Sequence, residues 1–145
     1  MKLICEIQAL DGADTRAQAD VFAAFVESLV EVNRATLRVR RSIPLLYQSR
    51  IAFQEDPRWQ DVTSMLSTGY GDCKDLVAWR LAELRELNRV EARLHVVFSK
   101  AGDTDVFHMQ VLHPTGHLED PTSIIRSIAA SGTAAMPPGG LRILR

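Results

Sequence analysis

The stretch Thr68-Gly-Tyr-Gly-Asp-Cys-Lys-Asp-Leu-Val-Ala-Trp79 sets a cysteine at the junction between a glycine-rich turn and a helix. Gly69 and Gly71 suit backbone angles that a side chain disfavours, and Asp72 is a good N-cap residue. From Cys73 the apolar positions Leu76, Val77, Trp79, Leu81, Leu84 and Leu87 fall at helical spacing, with Arg80, Glu83, Arg85 and Glu86 between them. Cys73 therefore opens an amphipathic helix. Unpaired N–H groups and the positive end of the helix dipole favour a thiolate there, so the position predicts a lowered thiol pKa and a reactive sulfur. The plainer reading is a small buried residue, which is what most free cysteines are.

A chain of 145 residues is sized for a single domain, here 1–145, and can bury a core without metals or disulfides. A formal charge of -1 offers no basic excess for nucleic acid. Arg34, Arg38, Arg40 and Arg41 read as a solvated helix end rather than an anion site. The two cysteines, Cys5 in an expected strand and Cys73 at a helix start, exclude a disulfide framework but not a single bond. The first residues carry an acid inside a short apolar run, which predicts neither secretory signal nor membrane span. A cytoplasmic protein without membrane contact is the expectation, and a reducing compartment would keep Cys73 free.

Outward from the cysteine helix, alternation over Lys2–Leu10 predicts a strand ending at the turn signal Asp11-Gly12. A long helix follows, capped by Asp14 or Thr15 and running to Asn33, with Val21, Phe25, Leu29 and Val32 as its core stripe beside Phe22 and Val26. Pro44 breaks the apolar segment 43–53. A short helix begins at Pro57 or Arg58 and runs to Ser67, with Trp59, Val62 and Leu66 inside. After Asn88 come two strands, 92–99 and 105–113, then a turn at Pro114-Thr-Gly116 and a short helix from Ser123 to Ala130.

A cysteine nucleophile needs a base, and the base needs a group that fixes its tautomer. His108 shares a strand face with Gln110, opposite the apolar Phe107, Met109 and Val111. Twelve residues separate His108 from Asp120, six on either side of the turn, so a returning chain brings carboxylate to imidazole. Cys73 as nucleophile, His108 as base and later acid, and Asp120 as orienting group make the expected site. His113 and His117 are rivals for the base. Without Cys-x-x-Cys or clustered histidines, no metal and no cofactor is expected.

Gly71-Asp-Cys-Lys-Asp75 with its alanine- and tryptophan-bearing helix, a strand histidine at His108 and an acid at Asp120 resembles the transglutaminase-like cysteine protease superfamily. The likeness is to its small bacterial and bacteriophage-encoded members, whose motif is similarly preceded by a segment like Trp59-Gln-Asp61. It covers about Leu45 to Pro121. It implies an α+β fold with a papain-like core, in which a helix bearing cysteine at its N-terminus packs on an antiparallel sheet that supplies His and Asp. It assigns Cys73, His108 and Asp120 the same triad. Lys74 departs from the pattern, where relatives more often carry an acid; a cation there favours the thiolate further and alters the substrate surface.

An oxyanion needs preorganised donors. The Cys73 N–H is one candidate, and Gln48, Tyr47 and the Trp59 indole are others, Trp59 reading more readily as core. The expected chemistry is acyl transfer through a thioester on a peptide or carboxamide, resolved by water or by an amine, with a protein or peptide as partner. A catalytically inactive protein that keeps this fold for a structural or interaction role, phage-related in either case, is the alternative.

Overall fold

The computed structural model describes residues 2–4, 15–101 and 104–131. It is mixed α+β, with helices packed on a small sheet. The strands are β1 (Lys2–Ile4), β2 (Ala52–Phe53), β3 (Arg58–Gln60), β4 (Tyr70–Gly71), β5 (Arg93–Ala101), β6 (Thr104–Leu112) and β7 (Leu118–Glu119). The helices are α1 (Thr15–Val39), α2 (Val62–Thr68), α3 (Cys73–Glu86) and α4 (Pro121–Ala130), with a single 3-10 turn at Leu46–Gln48. β5, β6 and β7 form an antiparallel sheet in that order. Among the described residues two small ladders complete the pairing, β1 antiparallel with β3 and β2 parallel with β4. The rest of the expected 2–10 strand, and Cys5 with it, lies outside the described residues.

α3 is the axis of the fold. Expected as amphipathic, it is instead buried along nearly its whole circumference, because apolar clusters press on it from two sides. One cluster joins Val77, Leu81 and Leu84 to Val26, Leu29 and Val30 of α1 and to Met109 and Val111 of β6. The other joins Leu76 and Trp79 to Leu46, Val62, Met65 and Ile125. Trp79 is fully buried, worth on the order of 5 kcal/mol relative to exposure at about 25 cal/mol per Å². Only the C-terminal Leu87 of the predicted stripe stands half exposed.

Three local expectations are corrected. α1 buries Phe22 in part and Val26, Leu29, Val30, Asn33 and Leu37 fully, while Val21 is 48% exposed. The stripe is thus rotated, because the buried Asn33 carboxamide turns inward to accept the Val62 N–H at 3.0 Å. The segment from Arg58 is a strand, not a helix. Asp61 stops the helix there by capping it, its Oδ1 accepting the Ser64 N–H at 2.9 Å, so α2 begins at Val62. Trp59 consequently joins the α1 side, packed against Phe22 and Phe25 with centroids 6.2 and 5.6 Å away.

Gly69 and Gly71 serve different ends. Gly69, at φ 85°, is the left-handed C-cap of α2. Gly71 has no such angle; a Cβ on it would meet Met65 Sδ at 2.6 Å, so its reason is space. Gly116, at φ 90°, closes the β6–β7 turn with its N–H on the His113 carbonyl at 2.9 Å.

Candidate active site

Asp72 caps α3 as expected, in a capping box whose other half is the Asp75 side chain accepting the Asp72 N–H at 3.1 Å. This fixes Cys73 at the first helical position against β6, where the Met109 backbone N–H bonds to the sulfur. The thiol is partly buried and free. It lines a cleft of about 670 Å³ together with His108, Phe22, Phe53 and Phe107.

On β6, Met109 and Val111 turn into the core while His108 and Gln110 remain partly exposed. β7 pairs with β6 in the register Val111 with Glu119. The chain therefore brings Asp120 back beside His108, and His108 Nε2 donates to Asp120 Oδ2 at 2.7 Å. A carboxylate only accepts, so Nε2 carries the hydrogen, which leaves Nδ1 as the ring nitrogen turned away from Asp120. Asp120 Oδ1 accepts the Ser123 N–H at 3.2 Å as the N-cap of α4, with Pro121 at the first helical position. One residue thus orients the imidazole and starts a helix.

The thiol departs from expectation. Its pKa is pushed up to about 12, first by burial and then by the Asp72 carboxylate, against smaller opposing effects of Lys74 and the Met109 N–H. The helix terminus does favour a thiolate, but the carboxylate that caps it stands on the same N–H groups. Asp72 Oδ1 takes the Cys73 N–H itself, at 2.5 Å, so that candidate oxyanion donor is already engaged.

Lys74 is not a surface cation. It is 7% exposed, and its Nζ donates to the Asp56 carbonyl at 2.7 Å and to Asp72 Oδ2 at 3.2 Å, with Asp75 Oδ2 at 3.6 Å. It braces the cysteine turn against the loop before β3. Asp75, fully buried, accepts the Gln60 N–H at 2.9 Å and is pushed up to about 6 by that burial.

None of the three side chains considered as oxyanion donors is among the described residues lining the cleft. Trp59 sits in the α1 core, and Gln48 is exposed on its 3-10 turn. The buried Tyr47 hydroxyl donates to Glu119 Oε2, which also accepts Arg80 Nε at 2.6 Å; His113 Nε2 contacts Glu119 Oε1 at 2.9 Å. His113 is thus bound into a structural network. Sequence reasoning passed over Thr122 and Arg126 of α4, which line the cleft; the only signal was their place just after Asp120 on a short helix. Among the described residues no cluster of three or more His, Cys, Asp or Glu side chains is arranged for a metal, and no helix is long and apolar enough to cross a membrane.

In comparisons with known proteins, no protein-family model, no curated protein and no solved structure matches the chain significantly.

Proposed function

We propose that the chain is a cysteine-dependent acyl-transfer enzyme of the transglutaminase-like kind, with a papain-like core, acting on a peptide or side-chain carboxamide of a protein. The observation that carries the reading is the hydrogen-bonded His108–Asp120 pair on the wall of the cleft that also holds Cys73. With Asp120 holding the Nε2 hydrogen, the Nδ1 lone pair is the base.

A thiol pushed up to about 12 is neutral at pH 7, so attack and proton transfer go together. The Sγ–C bond forms as the thiol proton passes to His108 Nδ1. The imidazolium, steadied by Asp120, then protonates the leaving nitrogen as the C–N bond breaks. Water or a primary amine next attacks the thioester and loses its proton to Nδ1, and the S–C bond breaks to restore the thiol. Water gives hydrolysis; an amine gives transamidation.

A second reading is an inactive protein that keeps this architecture as an interaction module. It is favoured by Asp72, whose carboxylate raises the thiol and occupies the Cys73 N–H. Profiling a peptide library with and without a primary amine, against Cys73→Ala, separates the two. Turnover by the natural protein that vanishes in the variant supports the enzyme, and the amine dependence assigns the outcome; identical, absent turnover in both supports the module.

A further inference from the structure

The cleft carries, beside the thiol and imidazole, an arginine that has no carboxylate partner among the described residues. Arg126 projects from the exposed face of α4 and lies over the Phe53 ring, its Cζ 4.3 Å from the centroid. The half-buried arginines named above are each tied to a carboxylate, Arg34 to Glu86, Arg58 to Asp56, Arg80 to Glu119 and Arg85 to Glu27, and the exposed Arg126 is not. Among the described residues no carboxylate lies within 4 Å of Arg126, and the ring contact is not a hydrogen bond, so it takes up none of the guanidinium N–H donors. The edge remains available as a planar fork for a bidentate acceptor.

Thr122 supplies an independent observation. It lies four residues earlier on α4, is 5% exposed, and its hydroxyl is buried with no hydrogen-bond partner. A buried hydroxyl without an acceptor is costly, which gives it reason to meet one from a ligand. Thr122 and Arg126 both line the 670 Å³ cleft, and with His108 both also line an adjoining hollow of about 420 Å³ that reaches Asp120. The cation therefore stands where the two spaces share a wall, next to the base. Three phenylalanines, Phe22, Phe53 and Phe107, give the larger space its apolar lining.

We infer that Arg126, assisted by Thr122, receives a carboxylate of the substrate, so that the acyl group transferred to Cys73 belongs to an acidic peptide or acid-terminated chain. This rests on the acyl-transfer reading. Glu55, Asp56 and Asp72 also line the cleft and Asp120 the hollow, and these oppose an anion, but Asp56 is paired with Arg58, Asp72 with Lys74 and Asp120 with His108, and among the described residues none forms an ion pair with Arg126 within 4 Å. The fork and hydroxyl give the attraction a direction that a diffuse repulsion lacks.

The test uses two activated esters of one length, mono(4-nitrophenyl) adipate and the neutral 4-nitrophenyl adipamate. In each the Sγ–C bond forms, the C–O bond breaks and 4-nitrophenolate leaves, while the thiol proton passes to His108. The natural protein should be acylated at Cys73 about tenfold faster by the anionic ester, as one charge-assisted pair at a part-open site allows. Arg126→Gln should bring the ratio of the two esters' rates close to one, Arg126→Lys should retain part of the preference, and Thr122→Val should reduce it. The preference should shrink as salt rises. Equal rates for both esters in the natural protein, or a preference that survives Arg126→Gln, overturn the carboxylate site while leaving acyl transfer intact. A preference unaffected by Thr122→Val removes the hydroxyl from the site. No acylation of Cys73 by either ester removes the acyl-transfer reading and the inference with it.

Discussion

His108 and Asp120 meet at 2.7 Å across the tight turn between β6 and β7, and the same aspartate caps α4. Orientation of the imidazole and folding of the next helix are therefore separable by chemistry. Asparagine keeps the cap, because it is as good an N-cap as aspartate, but cannot hold an imidazolium. Asp120→Asn should leave the melting temperature within a degree or two and slow acylation of Cys73 by at least about tenfold. Asp120→Ala should lose the same rate and, in addition, about 1 kcal/mol of stability. Calorimetry beside stopped-flow acylation distinguishes them.

Asp72 carries the second prediction. Its carboxylate raises the thiol pKa, so its removal should lower it. In Asp72→Asn, alkylation by iodoacetamide at pH 7 should be faster than in the natural protein, and its rise with pH should move to lower pH. A rate unchanged or slower across pH 6–10 counts against the account of the thiol.

Lys74 and Gly71 test the packing of the cysteine turn. Replacing Lys74 by methionine leaves Asp72 and the buried Asp75 without their shared cation, and should cost about 3 kcal/mol or more in denaturant unfolding. Gly71→Ala drives a methyl into Met65, itself fully buried, and should cost about 1–3 kcal/mol. Both losses should appear with Cys73→Ala as background, since neither residue is assigned a part in the chemistry.

Glu83 predicts a dependence of stability on pH. It is 1% exposed, accepts the Leu46 N–H at 2.6 Å and Arg80 Nη1 at 3.3 Å, and shares its surroundings with Tyr47 and Glu119. Burial outweighs those bonds and pushes its pKa from the ordinary 4.5 to about 7. Between these values the native state holds the proton more tightly than the unfolded chain. Stability therefore falls as pH climbs through that window and levels off above it, by up to about 3 kcal/mol from this group. Asp75, pushed up to about 6, acts in the same direction at lower pH. Glu83→Gln should flatten the curve between pH 5 and 8; an undiminished slope would contradict the assignment.

Much of this arrangement was legible in the sequence, for identifiable reasons. The start of α3 at Cys73 follows from a local signal, Asp72 as cap before apolar residues at helical spacing, and no distant contact overrides it; the Asp75 half of the capping box came from the structure. The approach of Asp120 to His108 follows from strand period and a glycine turn, both also local. What stayed hidden depends on the third dimension. The α1 stripe turned toward Asn33 because of a hydrogen bond to Val62, twenty-nine residues away. Trp59 was drawn into a strand by pairing with β1 and by the Asp61 cap just after it. The thiol's pKa depends on burial under β6, which outweighs the helix end, and Lys74 reads as solvated until the Asp56 carbonyl is found above it.

The central claim is that Cys73 takes an acyl group with His108 as its base, and intact-protein mass spectrometry tests it most directly. After brief exposure to 4-nitrophenyl acetate at neutral pH, a single acetyl group should map to Cys73, forming at least about a hundredfold more slowly in His108→Ala. Acetyl groups on other residues, or equal labelling of Cys73 in the two proteins, would contradict it.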